Sequence, residues 1–211
     1  MKIHFTRFQI LVHLASLIPF ILLVIGYFTN DLTADPIQAI TQRTGQTAIR
    51  ILLISLACTP LNTLFGFRPA LTVRRALGLY AFFYATLHFI TFTVLDYGLD
   101  IPAILRELLE KWYLIVGSLA FFSLIPLAIT STKKWMKWLG AWWRRLHNLV
   151  YGIGILTVIH YFLAVKADIR TPFLYGGILL VLLALRLSPV RRFASQRKPA
   201  WITPINQFLS K

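Results

Sequence analysis

The sequence predicts an all-α membrane protein, a six-transmembrane-helix bundle with both termini on the cytoplasmic side. Three observations carry that prediction. The 211 residues are 57% hydrophobic and 14% charged, against roughly 25% charged in a soluble domain. Six stretches approach the ~20 apolar residues that a helix needs to cross ~30 Å of hydrocarbon: 8–28, 46–65, 76–95, 112–130, 146–165 and 171–187. The acids, finally, are confined to every other connection between those stretches.

The first stretch follows Lys2 and Arg7, as a secretory signal would. It is longer than a signal core and no A-x-A site closes it, so it reads as a retained helix. The second holds Cys58, the one cysteine of the chain; with no partner for an intrachain disulfide it reads as packing. The third carries His88, the fourth no charged residue, and the fifth His147 and His160. After the sixth comes a basic tail, 189–211. The spans nearly exhaust the chain, so 1–211 reads as a single transmembrane domain. No internal repeat or low-complexity tract is visible.

A net charge of +15 would on its own suggest nucleic acid, but its distribution says otherwise. All seven acids, Asp31, Asp35, Asp96, Asp100, Glu107, Glu110 and Asp168, fall in the first, third and fifth connections. The N-terminal segment, the second and fourth connections and the tail hold arginine and lysine with no acid among them. Basic loops face the cytoplasm, and anionic lipid satisfies most of their charges.

Topology assigns depth to the histidines. The third helix enters from the cytoplasm near Arg75 and reaches His88 after roughly 20 Å; the fifth enters from the same side and reaches His160 at a similar depth. Two imidazoles level on separate helices suit six-coordinate haem iron, one nitrogen on each side of the porphyrin. Ionisable groups inside a membrane are costly and mark function. Gly152 and Gly154 near His160 would let the ring approach a backbone, and Phe82, Phe83, Tyr84, Phe89 and Phe92 near His88 would pack its faces. His147 lies some 220° around the helix from His160 and roughly 20 Å away along it, so the two cannot share one ligand. It reads as an inner site, a second haem with His13 as partner, or as a residue bonded to headgroups, a flavin phosphate or backbone. His4 reads as interfacial.

Other chemistries fail on the motifs. The chain has no HExxH, GxSxG, P-loop or GxGxxG, no clustered histidine boxes for a di-iron site, and no nucleic-acid module. No acid lies within a span, against a carboxylate relay. Two alternatives remain: a small permease relaying protons through histidines, and an assembly or anchoring subunit whose histidines only pack.

RRLHNLVYGIGILTVIHYFLAVK, RRALGLYAFFYATLHF, HLASLIPF and ADPIQAITQRTGQTAIRILLISLACTPL resemble the MsrQ (YedZ) family, the haem-binding membrane subunit of the bacterial periplasmic methionine sulfoxide reductase system. The resemblance runs from about His13 to Arg186, and one motif is met as Arg74-Arg75-Ala76-Leu77-Gly78, close to the family pattern and not literal. It implies a ferric reductase-like transmembrane domain in the bacterial inner membrane, carrying one or two haems b and using FMN. Electrons would come from the quinol pool or a cytoplasmic flavin reductase and leave to MsrP, a periplasmic molybdopterin enzyme. The chain would then be an electron-transfer subunit and not the catalytic one. The family's histidines carry over onto His88, His147 and His160. Arg74, Arg75, Arg144 and Arg145 are charge-based candidates for a flavin phosphate or haem propionate.

Overall fold

The computed structural model describes residues 5–165, 168–190, 205, 206, 208 and 209. His4 and most of the basic tail lie outside them. Among the described residues every regular element is helical: α1 (Arg7–Phe28), α2 (Pro36–Phe65), α3 (Pro69–Ile90), α4 (Ile101–Glu110), α5 (Trp112–Ile129), α6 (Lys133–Leu139), α7 (Ala141–His147), α8 (Leu149–Ala164) and α9 (Arg170–Ala184). Five of the spans are long and apolar enough to cross a membrane, with α3 continuing to Asp96 and α7 and α8 counted together. The sixth predicted stretch forms α9, 15 residues and roughly 22 Å long, shorter than a hydrocarbon core.

α2 differs most from its prediction, starting at Pro36 and not near 46. Asp35 caps it by accepting from the Gln38 N–H at 2.9 Å, and Pro36 at the first position needs no hydrogen-bond partner of its own. The polar run that hides this turn from a hydropathy reading is helical because its hydroxyls bond backward: Thr41 to the Ile37 carbonyl, Thr44 to Ile40 and Thr47 to Arg43. α2 ends on Gly66, whose φ of 73° lies in the left-handed region that glycine enters at low cost. The chain then turns directly into α3. α3 in turn passes into a π-helix, Thr91–Asp96, just beyond His88; such widened turns recur at functional sites.

Two helix pairs form the frame. α2 packs along α3, and α5 packs along α8. Between the pairs, Leu52, Val73, Leu77, Ala81, Ala120, Leu124 and Ile153 share one buried cluster, and Leu53, Leu56, Leu179 and Leu182 hold α9 against α2. α1 buries only Ser16 and Gly26, the surface of a helix set in lipid. It carries Pro19 within it, and Tyr84 of α3 engages it there: the hydroxyl accepts from Phe20 N–H at 3.0 Å and donates to the Ser16 carbonyl at 2.7 Å. A regular helix would pair those two groups with each other. Tyr84 is 1% exposed, so Tyr84→Phe is expected to cost about 1–3 kcal/mol, read as a lower thermal midpoint in detergent; an unchanged midpoint would show that α1 is held by packing alone.

The connections suit a membrane surface. α6 and α7 present Trp138 and Trp142, mostly exposed, beside Lys133, Lys134, Lys137, Arg144 and Arg145, the aromatic and basic mixture of a headgroup layer. α4 exposes Ile101, Leu105 and Leu109 on one side, an amphipathic helix that can lie in the interface.

Candidate functional site

His88 on α3 and His160 on α8 meet between the two helix pairs, with ring centroids 6.1 Å apart and planes at 79°. Each ring is fixed from outside. His88 Nδ1 lies 2.9 Å from the Thr41 carbonyl of α2, and His160 Nδ1 lies 2.7 Å from the Tyr113 carbonyl of α5. A carbonyl can only accept, so both Nδ1 atoms carry the proton and both Nε2 atoms keep a free lone pair. That tautomer is the one a metal needs, and the carbonyl makes the imidazole a stronger ligand.

Glycine makes these approaches possible. A Cβ built on Gly45, one turn after Thr41, would sit 3.0 Å from His88 Nδ1; one on Gly117, one turn after Tyr113, would sit 2.5 Å from His160 Nδ1 and 2.6 Å from Cε1. The second distance is impossible for a real side chain. The two halves repeat one design: a carbonyl, a glycine one turn on, and a histidine 47 residues after the carbonyl in both cases. The same local geometry therefore occurs twice in a sequence in which no repeat is visible. Its trace in the sequence is short: Gly45, Ala48 and Leu52 in α2 match Gly117, Ala120 and Leu124 in α5.

The glycines expected beside His160 lie elsewhere. Gly152 faces open space, and Gly154 packs on Leu179 and Leu56. Gly154 precedes His160 by six residues, which turns it about 240° away, so the room for the ring comes from the facing helix. The aromatics divide too. Phe82 and Phe89 stack on Phe121 of α5, the closer pair at 4.5 Å, whereas Phe83 packs on Phe20 of α1 and Phe92 on Tyr97.

Two imidazoles that would hold one metal between them at about 2 Å each have ring centres roughly 6 Å apart, a distance the observed spacing matches. Among the described residues no group of three or more His, Cys, Asp or Glu converges on a metal position. A two-ligand set of neutral imidazoles in an apolar surround fits a metal whose other ligands belong to a macrocycle.

His147 and His13 have separate partners. His147 Nε2 lies 3.1 Å from Thr130 Oγ1, and the ring stacks on Trp143 at 4.0 Å. Thr130 donates its own proton to the Pro126 carbonyl at 2.6 Å, which makes His147 Nε2 the donor and leaves Nδ1 with the lone pair. His13 Nδ1 bonds the Tyr80 hydroxyl at 3.0 Å and its ring meets Phe5 edge-on. The arginines are also dispersed: Arg74 Nη1 bonds Thr59 at 2.9 Å, Arg75 Nη1 lies 3.8 Å from the Met136 sulfur, and Arg145 covers the Trp142 ring.

The family model described as a ferric reductase like transmembrane component matches residues 44–158, enclosing Gly45, His88, Gly117 and His147 and ending just before His160. The chain is 46% identical over 204 residues to the protein-methionine-sulfoxide reductase heme-binding subunit MsrQ of Xanthomonas euvesicatoria pv. vesicatoria, covering 92% of this chain and 94% of that one. Against the subunit of the same name from Rhodospirillum rubrum the identity is 42%, over 91% and 93% of the two chains. No solved structure matches. On the fold, the paired histidines and these similarities together, the chain belongs to the MsrQ heme-binding subunit family, within the ferric reductase-like transmembrane proteins.

Proposed function

We propose that the chain is the haem b subunit of a protein-methionine-sulfoxide reductase system, an electron-transfer subunit of the bacterial inner membrane with both termini cytoplasmic. His88 and His160 would hold the iron through Nε2 in the outer half of the membrane, and the haem would supply one-electron chemistry there. The observation that carries the reading is the clasped pair: two neutral imidazoles 6.1 Å apart, each proton-locked by a backbone carbonyl. The test is optical. The purified protein should be red, with a Soret band and sharp alpha and beta bands on reduction; a colourless, folded protein would sink the proposal.

His147 belongs to the inner end of the path, where it donates to Thr130 and stacks on Trp143. A second haem there would take its Nδ1. One haem per chain by extraction supports a hydrogen-bonding role, and two would assign His147 to iron. If it serves the inner end, His147→Ala keeps the outer spectrum while reduction from the cytoplasmic side slows by about ten-fold or more. Normal stopped-flow reduction of that variant would remove His147 from the path. FMN near the Arg74, Arg75, Arg144 and Arg145 side, a quinol or a cytoplasmic flavin reductase as donor, and periplasmic MsrP as acceptor complete the proposal.

The outward face near His88 is acidic, with Asp96 closing the π-helix, Asp100 capping α4 and Glu107 and Glu110 on α4. Glu107 pairs with Lys111, whose hydrogen bond holds its carboxyl below the usual range; it stays ionised but is locally balanced. Asp96, Asp100 and Glu110, set against the one further cation Arg106, therefore leave a net negative field for a basic acceptor to meet, and complementarity of this kind mainly speeds encounter. Neutralising all four acids should slow reoxidation by MsrP at low salt, an effect that fades as salt screens it. A rate unchanged in size and in salt dependence would place docking elsewhere.

A further inference from the structure

Four side chains meet at the end of the bundle where α2 and α9 finish and α3 and α8 begin. Arg186, just past the end of α9, donates through Nη2 to the Leu56 carbonyl at 2.6 Å and through Nη1 to the Tyr151 hydroxyl at 2.5 Å. That carbonyl is available because Pro60, one turn on in α2, has no N–H to give it. Arg74 of α3 donates through Nη1 to the Thr59 hydroxyl at 2.9 Å. The two guanidinium groups are within electrostatic reach of each other and of the buried Cys58, so they converge on one stretch of α2. Of the arginines singled out by charge in the connections, only Arg74 belongs to this group.

Donors crowd here and acceptors do not. Thr41, Thr44, Thr47 and Thr63 spend their hydroxyl protons on carbonyls one turn back, whereas Thr59 accepts from Arg74 and keeps its proton for another acceptor. The Tyr151 hydroxyl, accepting from Arg186, does the same. Arg186 Nε is buried with no acceptor among the described residues. Asp and Glu are lacking from 36–95, 111–167 and 169–211, so no acidic side chain of α2, α3, α8 or α9 offsets the two cations. Like charges held close in an apolar surround are costly. One tetrahedral oxyanion answers all of these groups at once, since its oxygens accept from both guanidinium forks and both hydroxyls while its charge balances theirs.

We propose that Arg74, Arg186, Thr59 and Tyr151 form a binding site for a phosphate group, carried by an anionic phospholipid or free in solution. The helix ends that supply the four residues stand on the side of the basic connections, at headgroup depth, where basic pockets between membrane helices hold anionic lipid. The proposal is independent of the haem reading.

The test uses the full-length haem-loaded protein. In one arm, phosphatidylcholine nanodiscs are doped with phosphatidylglycerol and the lipid retained on the protein is counted by native mass spectrometry. In the other, inorganic phosphate is titrated in detergent and followed by phosphorus NMR. The wild type should hold about one phosphatidylglycerol, which assigns the site to lipid, or about one phosphate, which assigns it to a soluble ligand. Arg74→Gln and the milder Thr59→Val should weaken that binding, the first by about ten-fold or more, the scale of a lost charge-assisted hydrogen bond. Arg75→Gln removes the same charge from the next residue, whose side chain lies against the Met136 sulfur, and should leave binding unchanged. Arg186 is kept, because it also ties α9 to α2. No binding in either arm, or equal binding by wild type and Arg74→Gln, overturns the proposal. An equal loss in Arg75→Gln does so too, since diffuse surface charge would then account for the binding. So does loss of haem in Arg74→Gln, because the pair would then hold a carboxylate of the macrocycle.

Discussion

Replacing either His88 or His160 with alanine is expected to strip the purified protein of its haem by at least about ten-fold, while helix content and yield in detergent stay near the wild type. On the proposed assignment each change would remove one of the two nitrogens that hold the iron. The fold does not depend on either ring, because each contacts its facing helix through one hydrogen bond, and the packed clusters that join the helices consist of other side chains. His160→Gly adds a stricter reading. With free imidazole supplied in solution, the cavity left by the side chain should take up the ligand and recover a low-spin spectrum. Two single alanine variants that both keep a full low-spin spectrum would remove these residues from the iron.

Much of this arrangement is legible in the sequence, for reasons of length and charge. Hydropathy marks the long spans because a membrane helix must be apolar on nearly every side, and depth counted along two such helices is enough to predict that His88 and His160 stand level. The reading loses accuracy where helix and apolarity part company. Residues 36–45 are polar and yet helical, since threonine hydroxyls satisfy themselves on carbonyls one turn back, so the turn that carries Thr41 and Gly45 falls outside the predicted span. The stretch after residue 170 fails in the other direction: it is apolar to Leu187, but the regular helix ends at Ala184. The clasp around each histidine has no residue-type signature beyond one glycine, because its hydrogen-bonding partner is a backbone carbonyl. Only the matching of Gly45 and His88 with Gly117 and His160 hints at it, and proximity in sequence points instead to Gly152 and Gly154 on the histidine's own helix. Long-range placement of a backbone group is a product of packing, and a single sequence does not display it.

The clasps make an unequal pair, and glycine substitution should expose the inequality. Alanine is the better helix former by about 1 kcal/mol, so neither Gly45→Ala nor Gly117→Ala should weaken its helix, and any damage must come from what the new methyl group meets. At Gly45 the methyl would stand 3.0 Å from His88 Nδ1, a conflict that a shift of a few tenths of an ångström relieves. Gly45→Ala is therefore expected to keep its haem with an altered low-spin spectrum. At Gly117 the methyl would stand 2.5 Å from His160 Nδ1, and relief requires the ring to swing off the Tyr113 carbonyl. That movement breaks the bond that fixes the tautomer and withdraws Nε2 from the metal, so haem affinity should fall by about ten-fold or more, the range found when an outer partner of a metal-bound histidine is lost. Gly152→Ala is the internal control, since its methyl meets nothing within 4 Å and should leave the spectrum untouched. Haem titration of the three variants against one another decides the matter. A Gly117→Ala protein that binds haem as tightly as Gly152→Ala, with the wild-type spectrum, would show that the carbonyl and glycine of α5 do not hold His160 in its working position.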